Sequence, residues 1–181
     1  MLEYLGHGSV HLLDGGWPAW VAASGAVQVG ATAVLAGDFQ PRRVAPRRVS
    51  TAELSAKVAA CAGAPASCDT VVWDTREARE YQGATPYGEK RGGHIPGAVG
   101  LWYSDLTDAQ GLLWPEAELR RRLAAAGIDT DKRVVALCTG GVRSGFAYAV
   151  LRHLGATDVA NYDGSMWAWA ADAALPMVGG G

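Results

Sequence analysis

One cysteine in this chain stands among neighbours that would hold its sulfur as an anion: Cys138, in the run Cys138-Thr139-Gly140-Gly141-Val142-Arg143-Ser144. Arg133 to Leu137 ahead of it reads as a short buried strand, and Ser144 to Leu154 behind it as a helix. Cys138 is therefore expected at the carboxyl end of a strand, in a loop whose backbone N–H groups converge on the sulfur. The helix N-terminus contributes about half a positive charge, and Arg143 a full one. Thiols in such settings have lowered pKa values and react as thiolates. Gly140 and Gly141 let the loop curl without a Cβ clash.

The loop size narrows the chemistry. Four residues, Thr139, Gly140, Gly141 and Val142, separate Cys138 from Arg143. Cysteine phosphatases with a comparable cradle have a longer loop, since their ring of N–H groups must surround a tetrahedral oxyanion. A shorter ring suits the terminal sulfur of a persulfide. Cys138 to Ser144 resembles the active-site loop of the rhodanese (thiosulfate sulfurtransferase) family. The resemblance implies that Cys138 takes a sulfane sulfur from a small anionic donor, becomes a persulfide, and passes the sulfur to a thiol, cyanide or a protein acceptor. It implies no metal and no organic cofactor. Such attack needs a thiolate and an anion cradle, with little proton transfer.

Further segments carry the same resemblance. Val72-Trp73-Asp74-Thr75-Arg76 with Glu80-Tyr81-Gln82-Gly83 is similar to the family's D-x-R…EY-x-G segment, and Gly93 to Ala98 to its G-H-I-P-G-A turn. Tyr162-Asp163-Gly164-Ser165 is similar to the motif that follows its last strand. Asp74 and Arg76 either pair, tying a strand end to neighbouring loops, or reach the substrate; the first reading is preferred. His94 reads as a hydrogen-bonding turn residue rather than a base, and Asp163 as the cap of the next helix. Arg143 is expected to serve both the persulfide and an anionic donor, its guanidinium matching oxyanions, with Arg91 or Arg79 as further sources of charge. Thiosulfate enzymes of the family tend to carry basic residues directly after the cysteine, where this chain has Thr139-Gly140. Mercaptopyruvate enzymes tend to place an arginine where it has Glu80. Thiosulfate is slightly preferred because Arg143 lies in the loop.

The elements that must position this loop alternate strand and helix. Ser50 with Glu53 forms a capping-box pattern ahead of a helix from Ala52 to Cys61. Thr70 to Trp73, Val99 to Tyr103, Arg133 to Leu137 and Asp158 to Tyr162 read as strands. Glu77 to Gln82 reads as a short helix, and Pro115 opens a longer one running to Gly127. The pattern predicts an α/β, rhodanese-like parallel sheet with helices on both faces, its ligand site at the carboxyl ends of the strands.

A repeat organises the rest. Leu5 to Trp20 matches Leu154 to Trp169 at a constant offset of 149, with seven identities in sixteen positions. A fixed offset marks a duplicated unit. The second copy closes a domain as strand, Asp-Gly turn and Trp-rich helix; the first stands at the start with nothing ahead of it to close. The expectation is a tandem protein lacking most of its first domain: residues 1–25 a remnant of it (strand, turn, helix), 26–48 a linker, and 49–178 the reactive domain. Trp17 and Trp20 should then dock on that domain or on another chain, a homodimer through the remnant included. Ala31 to Ala36, a short apolar stretch, would lie against the domain.

Composition sets outer bounds. The chain has 181 residues, 49% hydrophobic and 19% charged, with a formal charge of −2, which suits one α/β domain with something left over. That balance gives no reason to expect nucleic acid, and the Arg42-Arg43 and Arg47-Arg48 pairs read as solvated linker. No run of eighteen apolar residues predicts a membrane span, and no secretory signal is visible. Cys61 and Cys68 fit neither a zinc spacing nor a C-x-x-C pair and read as incidental thiols beside an Ala/Gly/Pro-rich turn. A reducing, cytoplasmic location is expected on that basis.

Overall fold

The computed structural model describes residues 1–62 and 68–179. Four strands, β1 (Thr70–Asp74), β2 (Val99–Gly100), β3 (Arg133–Leu137) and β4 (Val159–Asn161), form one sheet in the order β2-β1-β3-β4. All pairings are parallel. The six helices among the described residues are α1 (Gly16–Ala22), α2 (Thr51–Cys61), α3 (Ala78–Tyr81), α4 (Glu116–Ala125), α5 (Val142–His153) and α6 (Ser165–Ala171).

The strand interiors, Val71 to Trp73 and Val134 to Leu137, are apolar because both faces are covered. On β3, Val135 and Leu137 join a core with Leu54 and Val58 of α2 and Met166 and Trp169 of α6. Val134 and Ala136 point the other way, into a core with Leu119 and Leu123 of α4 and Ala147, Val150 and Leu151 of α5. β1, β3 and β4 thus each serve two cores by their period of two. The expected capping box starts α2, with Ser50 Oγ accepting from the Glu53 N–H and Glu53 accepting from the Ser50 N–H. Pro115 caps α4.

The expected second strand is shorter than Val99 to Tyr103: it keeps two residues and gives way to a 3-10 turn, Tyr103–Leu106. There the chain crosses the strand ends, with Leu101 and Tyr103 N–H donating to the Asp74 and Thr75 carbonyls. At the far edge of the sheet, Arg48 pairs in parallel with Asn161, so the chain just before α2 covers the β4 edge. Ala31 to Ala36 does not lie against the domain; its residues are exposed.

The N-terminal segment departs furthest from expectation. It forms α1 but no strand, since the sheet offers it no partner. Asp14 accepts from the Leu113 N–H at 2.9 Å, and Tyr148 donates to Glu3. The tryptophans stay out of that contact: Trp17 is 61% exposed and Trp20 39%, its indole N–H donating to Ala26 of its own segment. Cys61 and Cys68 are not incidental thiols. They are joined in a disulfide, the end of α2 and the approach to β1 bringing their Cα atoms to 5.3 Å, within bonding range. A disulfide removes the cysteine-based argument for a reducing compartment. The Ala/Gly/Pro-rich stretch between them falls in residues 63–67, outside the described residues.

One charge pair ties the strand ends together. Arg76 Nε and Nη2 grip both Asp74 carboxylate oxygens at 2.7–3.0 Å, and Nη2 also donates to the Gly93 carbonyl at 2.8 Å. The two side chains are 1% and 0% exposed. Removing one partner of such a pair strands the other charge in the interior. Asp74→Ala should cost about 3–5 kcal/mol in urea denaturation; a loss below about 1 kcal/mol would mean that Arg76 is not held in a desolvated site.

Candidate active site

Register places the cysteine. Asp74 lies opposite Leu137, so the central strand β3 ends level with β1, and Cys138 follows at the carboxyl end of the sheet. Thr75 locks that level: its N–H and its hydroxyl both donate to the Leu137 carbonyl at 2.9 Å. Cys138, 2% exposed, is the one free thiol among the described residues.

From there the loop turns back over the sulfur. The Gly141 N–H points at Sγ from 3.1 Å and the Ser144 hydroxyl from 3.6 Å. Burial pushes the thiol pKa up, but the Ser144 amide and hydroxyl and the Gly140 and Gly141 amides outweigh it, and the net shift is downward. α5 begins at Val142, two residues before the expected Ser144, so its first turn belongs to the ring.

The glycines have separate reasons. Gly141 has φ 89, and a Cβ there would stand 2.8 Å from the Asp163 carbonyl oxygen. A Cβ on Gly140 would stand 2.5 Å from the ring of Trp167, which lies across the loop. Val142 faces outward, 83% exposed.

The segment after β4 holds the loop by its backbone. Ser165, buried and at φ 49, accepts from the Cys138 N–H at 3.1 Å and donates to the Tyr162 carbonyl at 2.8 Å. The Met166 and Trp167 N–H groups donate to the Cys138 and Thr139 carbonyls. Asp163 does not cap α6. It pairs with Arg48 at 2.9 Å, because the chain just before α2 runs beside β4 and brings a guanidinium within reach.

Arg143 differs most from its sequence reading. Its two terminal nitrogens donate to the two Glu80 oxygens at 2.7 and 2.8 Å, and Nη2 also reaches Thr139 Oγ1 at 2.5 Å. Glu80 is fully buried. Burial pushes its carboxyl up, while the guanidinium and the Thr139 hydroxyl pull it below the ordinary value. The guanidinium is thus committed to a buried carboxylate within the protein. Glu80 shapes the loop from α3 without belonging to it. The sequence signalled only that an acid stands where a basic residue was expected.

Asp74, Arg76, Arg91 and His94 are not drawn to the sulfur. Arg91 donates to the carbonyls of Trp169, Ala170, Asp172 and Leu175, closing the end of α6. His94 stacks on Tyr81 with ring centroids 3.7 Å apart and Nδ1 donates to the Tyr81 carbonyl. Tyr87 and Trp167 flank the loop, joined by an indole N–H to the Tyr87 carbonyl at 3.0 Å. Neither stands in a motif, so no local signal marks them. No cluster of metal-binding side chains occurs among the described residues, and no helix of theirs is long and apolar enough to cross a membrane.

A buried thiol at the head of an amide ring, at the end of an inner strand of a parallel sheet, is the arrangement expected from the resemblance of the Cys138 loop. Comparison with known proteins agrees: residues 58–172 match the model of the rhodanese-like domain, and the chain belongs to the rhodanese family. It is 33% identical over 170 residues to a thiosulfate sulfurtransferase of Pseudomonas aeruginosa, covering 93% of this chain and 59% of that protein. It is 30% identical over 193 residues to the mitochondrial thiosulfate/3-mercaptopyruvate sulfurtransferase 1 of Arabidopsis thaliana, covering 98% and 51%. The sulfur carrier protein TtuD of Thermus thermophilus is 30% identical over 190 residues, covering 98% and 64%. The chain thus spans between half and two thirds of these relatives. Among solved structures, an EanB variant in complex with ergothioneine superposes with a TM-score of 0.85 at 23% identity, over 99% of this chain and 43% of that one, which speaks for the fold.

A lowered thiol pKa predicts a specific profile. Alkylation of Cys138 by iodoacetamide should rise with pH through a midpoint below 9.0, the ordinary thiol value, because only the thiolate attacks. Ser144→Ala removes a donor to the anion and should move the midpoint upward. A midpoint at or above 9.0 in the parent chain would refute the anion ring.

Proposed function

We propose that this chain is a sulfurtransferase that works through a persulfide on Cys138. The observation that carries the reading is the ring of N–H and O–H donors around one sulfur, closed by the Gly141 amide at 3.1 Å. The Cys138 thiolate attacks the sulfane sulfur of a donor; a new S–S bond forms, the donor's bond to that sulfur breaks, and its electron pair leaves with the remainder. The terminal sulfur of the persulfide then occupies the space the amides face, where the same donors stabilise its charge. A thiol, cyanide or protein acceptor attacks that outer sulfur and returns Cys138 as thiolate. No step needs a general base, consistent with His94 being engaged by Tyr81.

Thiosulfate and 3-mercaptopyruvate are the donors named for the relatives, and the similarity to them supports this class of reaction. A second reading, a sulfur-carrier or docking module with little activity of its own on small molecules, is favoured by the similarity to the TtuD sulfur carrier. For the domain plan, we propose that residues 1–25 are the closing segment of another rhodanese-like unit, residues 26–48 a linker, and 49–178 the reactive domain. α1 and α6 span equivalent residues at the repeat offset, Gly16–Ala22 and Ser165–Ala171, which supports that plan.

Intact-mass measurement of the reduced, desalted chain after exposure to thiosulfate or to 3-mercaptopyruvate tests the reaction. The expected result is a gain of one sulfur that cyanide removes and that Cys138→Ser lacks while keeping the parent's circular dichroism. A gain that persists in Cys138→Ser would sink the mechanism; no gain with either donor would favour the carrier reading.

A further inference from the structure

We infer that Glu89 sets the donor specificity of the Cys138 site: its buried carboxylate, against the loop beside Thr139, turns dianionic donors away, so that sulfur arrives on a neutral or cationic persulfide carrier. The inference rests on the sulfurtransferase reading above and refines it.

Glu89 is 7% exposed and Thr139 5%. Thr139 Oγ1 lies 2.9 Å from Glu80 Oε1 and 3.4 Å from Glu89 Oε1, and it accepts from Arg143 Nη2. A threonine hydroxyl has one proton to donate. The shorter contact takes it to Glu80, leaving Glu89 Oε1 facing an oxygen with no proton to give. The other partner of Glu89 is the Tyr87 N–H, on Oε2 at 3.1 Å. Glu80 and Arg143 cancel as a bidentate pair; the Cys138 thiolate and Glu89 remain. A dianion entering this loop meets an uncompensated negative pair in a place with little water to screen it.

No nearby arginine restores the balance. Arg76 belongs to Asp74, Arg79 to Glu77, and Arg91 to four carbonyls. Lys90 is exposed, where solvent screens it. The rim points the same way: Tyr87 is 49% exposed and Trp167 54%, aromatic faces that accept an apolar or cationic body. With a carrier R–S–SH, the Cys138 thiolate bonds to the outer sulfur, the S–S bond of the carrier breaks, and its pair departs on RS⁻. The carrier supplies the sulfur already oxidised, so no separate oxidant is required.

The test uses the full chain and single-turnover persulfidation of Cys138, followed by intact mass. The donors are the persulfides of cysteamine, 2-mercaptoethanol and thioglycolate, with thiosulfate as the dianion. The cationic persulfide should be fastest and thiosulfate slowest. Since leaving groups differ in intrinsic reactivity, the decisive quantity is how the cysteamine-to-thioglycolate ratio changes on mutation. Glu89→Gln should lower it roughly tenfold, whereas Glu89→Asp, which keeps the charge and guards against a folding defect, should hold it near the parent value. A ratio unchanged in Glu89→Gln, or thiosulfate as the fastest donor of the parent chain, would overturn the inference. No sulfur gain from any donor would overturn the sulfurtransferase reading itself.

Discussion

The carboxyl end of the sheet is organised around one constraint: a sulfur that is 2% exposed and whose pKa is nonetheless lowered. Burial alone would raise the thiol pKa, so the anion needs donors that cannot turn away from it. Side chains lose rotamer entropy to fulfil that role; backbone amides are already fixed by the fold. The structure therefore spends most of its precision on backbone placement. Thr75 holds the Leu137 carbonyl, Ser165 takes the Cys138 N–H, and the first amides of α6 take the carbonyls of Cys138 and Thr139. With their other groups satisfied in this way, the loop amides of Gly140, Gly141 and Ser144 are left facing the sulfur.

The internal repeat offers a comparison within one chain. Gly6 and Gly155 share φ values of 87 and 86, and Gly16 and Ser165 values of 58 and 49, so the two copies follow similar backbone paths at both places. Their packing differs. Met166, Trp169 and Ala170 are each at most 1% exposed, while Trp17, Trp20 and Val21, their equivalents, are 61%, 39% and 50% exposed. The local sequence suffices to set the turn and the helix. It does not set the strand, which forms at residues 159–161 beside β3 and is missing from the first copy. A strand needs a neighbour for its hydrogen bonds; a capped helical turn carries its own.

This division explains what could be read from the sequence. Short-range features were legible: the Ser50/Glu53 cap, the helix opened by Pro115, the apolar run of β3, and the loop that begins at Cys138. The sheet with helices on both faces followed from alternating elements. What escaped notice depended on pairs distant in the chain. The Arg143–Glu80 clamp spans 63 residues and the Asp163–Arg48 pair 115; in each case a charge read from its immediate neighbours finds a nearer partner only after folding. Cys61 and Cys68 escaped for another reason, since their spacing belongs to no motif and only the course of α2 into β1 brings them together. Ser165 stood in the Tyr162–Ser165 segment picked out by its resemblance, but nothing local shows that its hydroxyl accepts from the Cys138 N–H and donates to the Tyr162 carbonyl, just past β4.

The clamp and the thiol both have lowered pKa values in the folded chain. Glu80 has its pKa lowered from 4.5 in the folded chain. A depressed carboxylate pKa contributes stability that is present above the unfolded value and lost as pH falls through the folded one. The clamp is therefore at full strength throughout neutral pH and weakens only in acid. Cys138 has its thiol pKa lowered from 9.0 by the loop amides and the Ser144 hydroxyl, against the upward push of burial. Because Glu80 holds Arg143 within the protein over this whole range, the guanidinium steadies the loop and feels the sulfur's charge from its flank. The amides face the sulfur directly, the Gly141 N–H from 3.1 Å, while Arg143 acts on the loop only through Glu80 and Thr139.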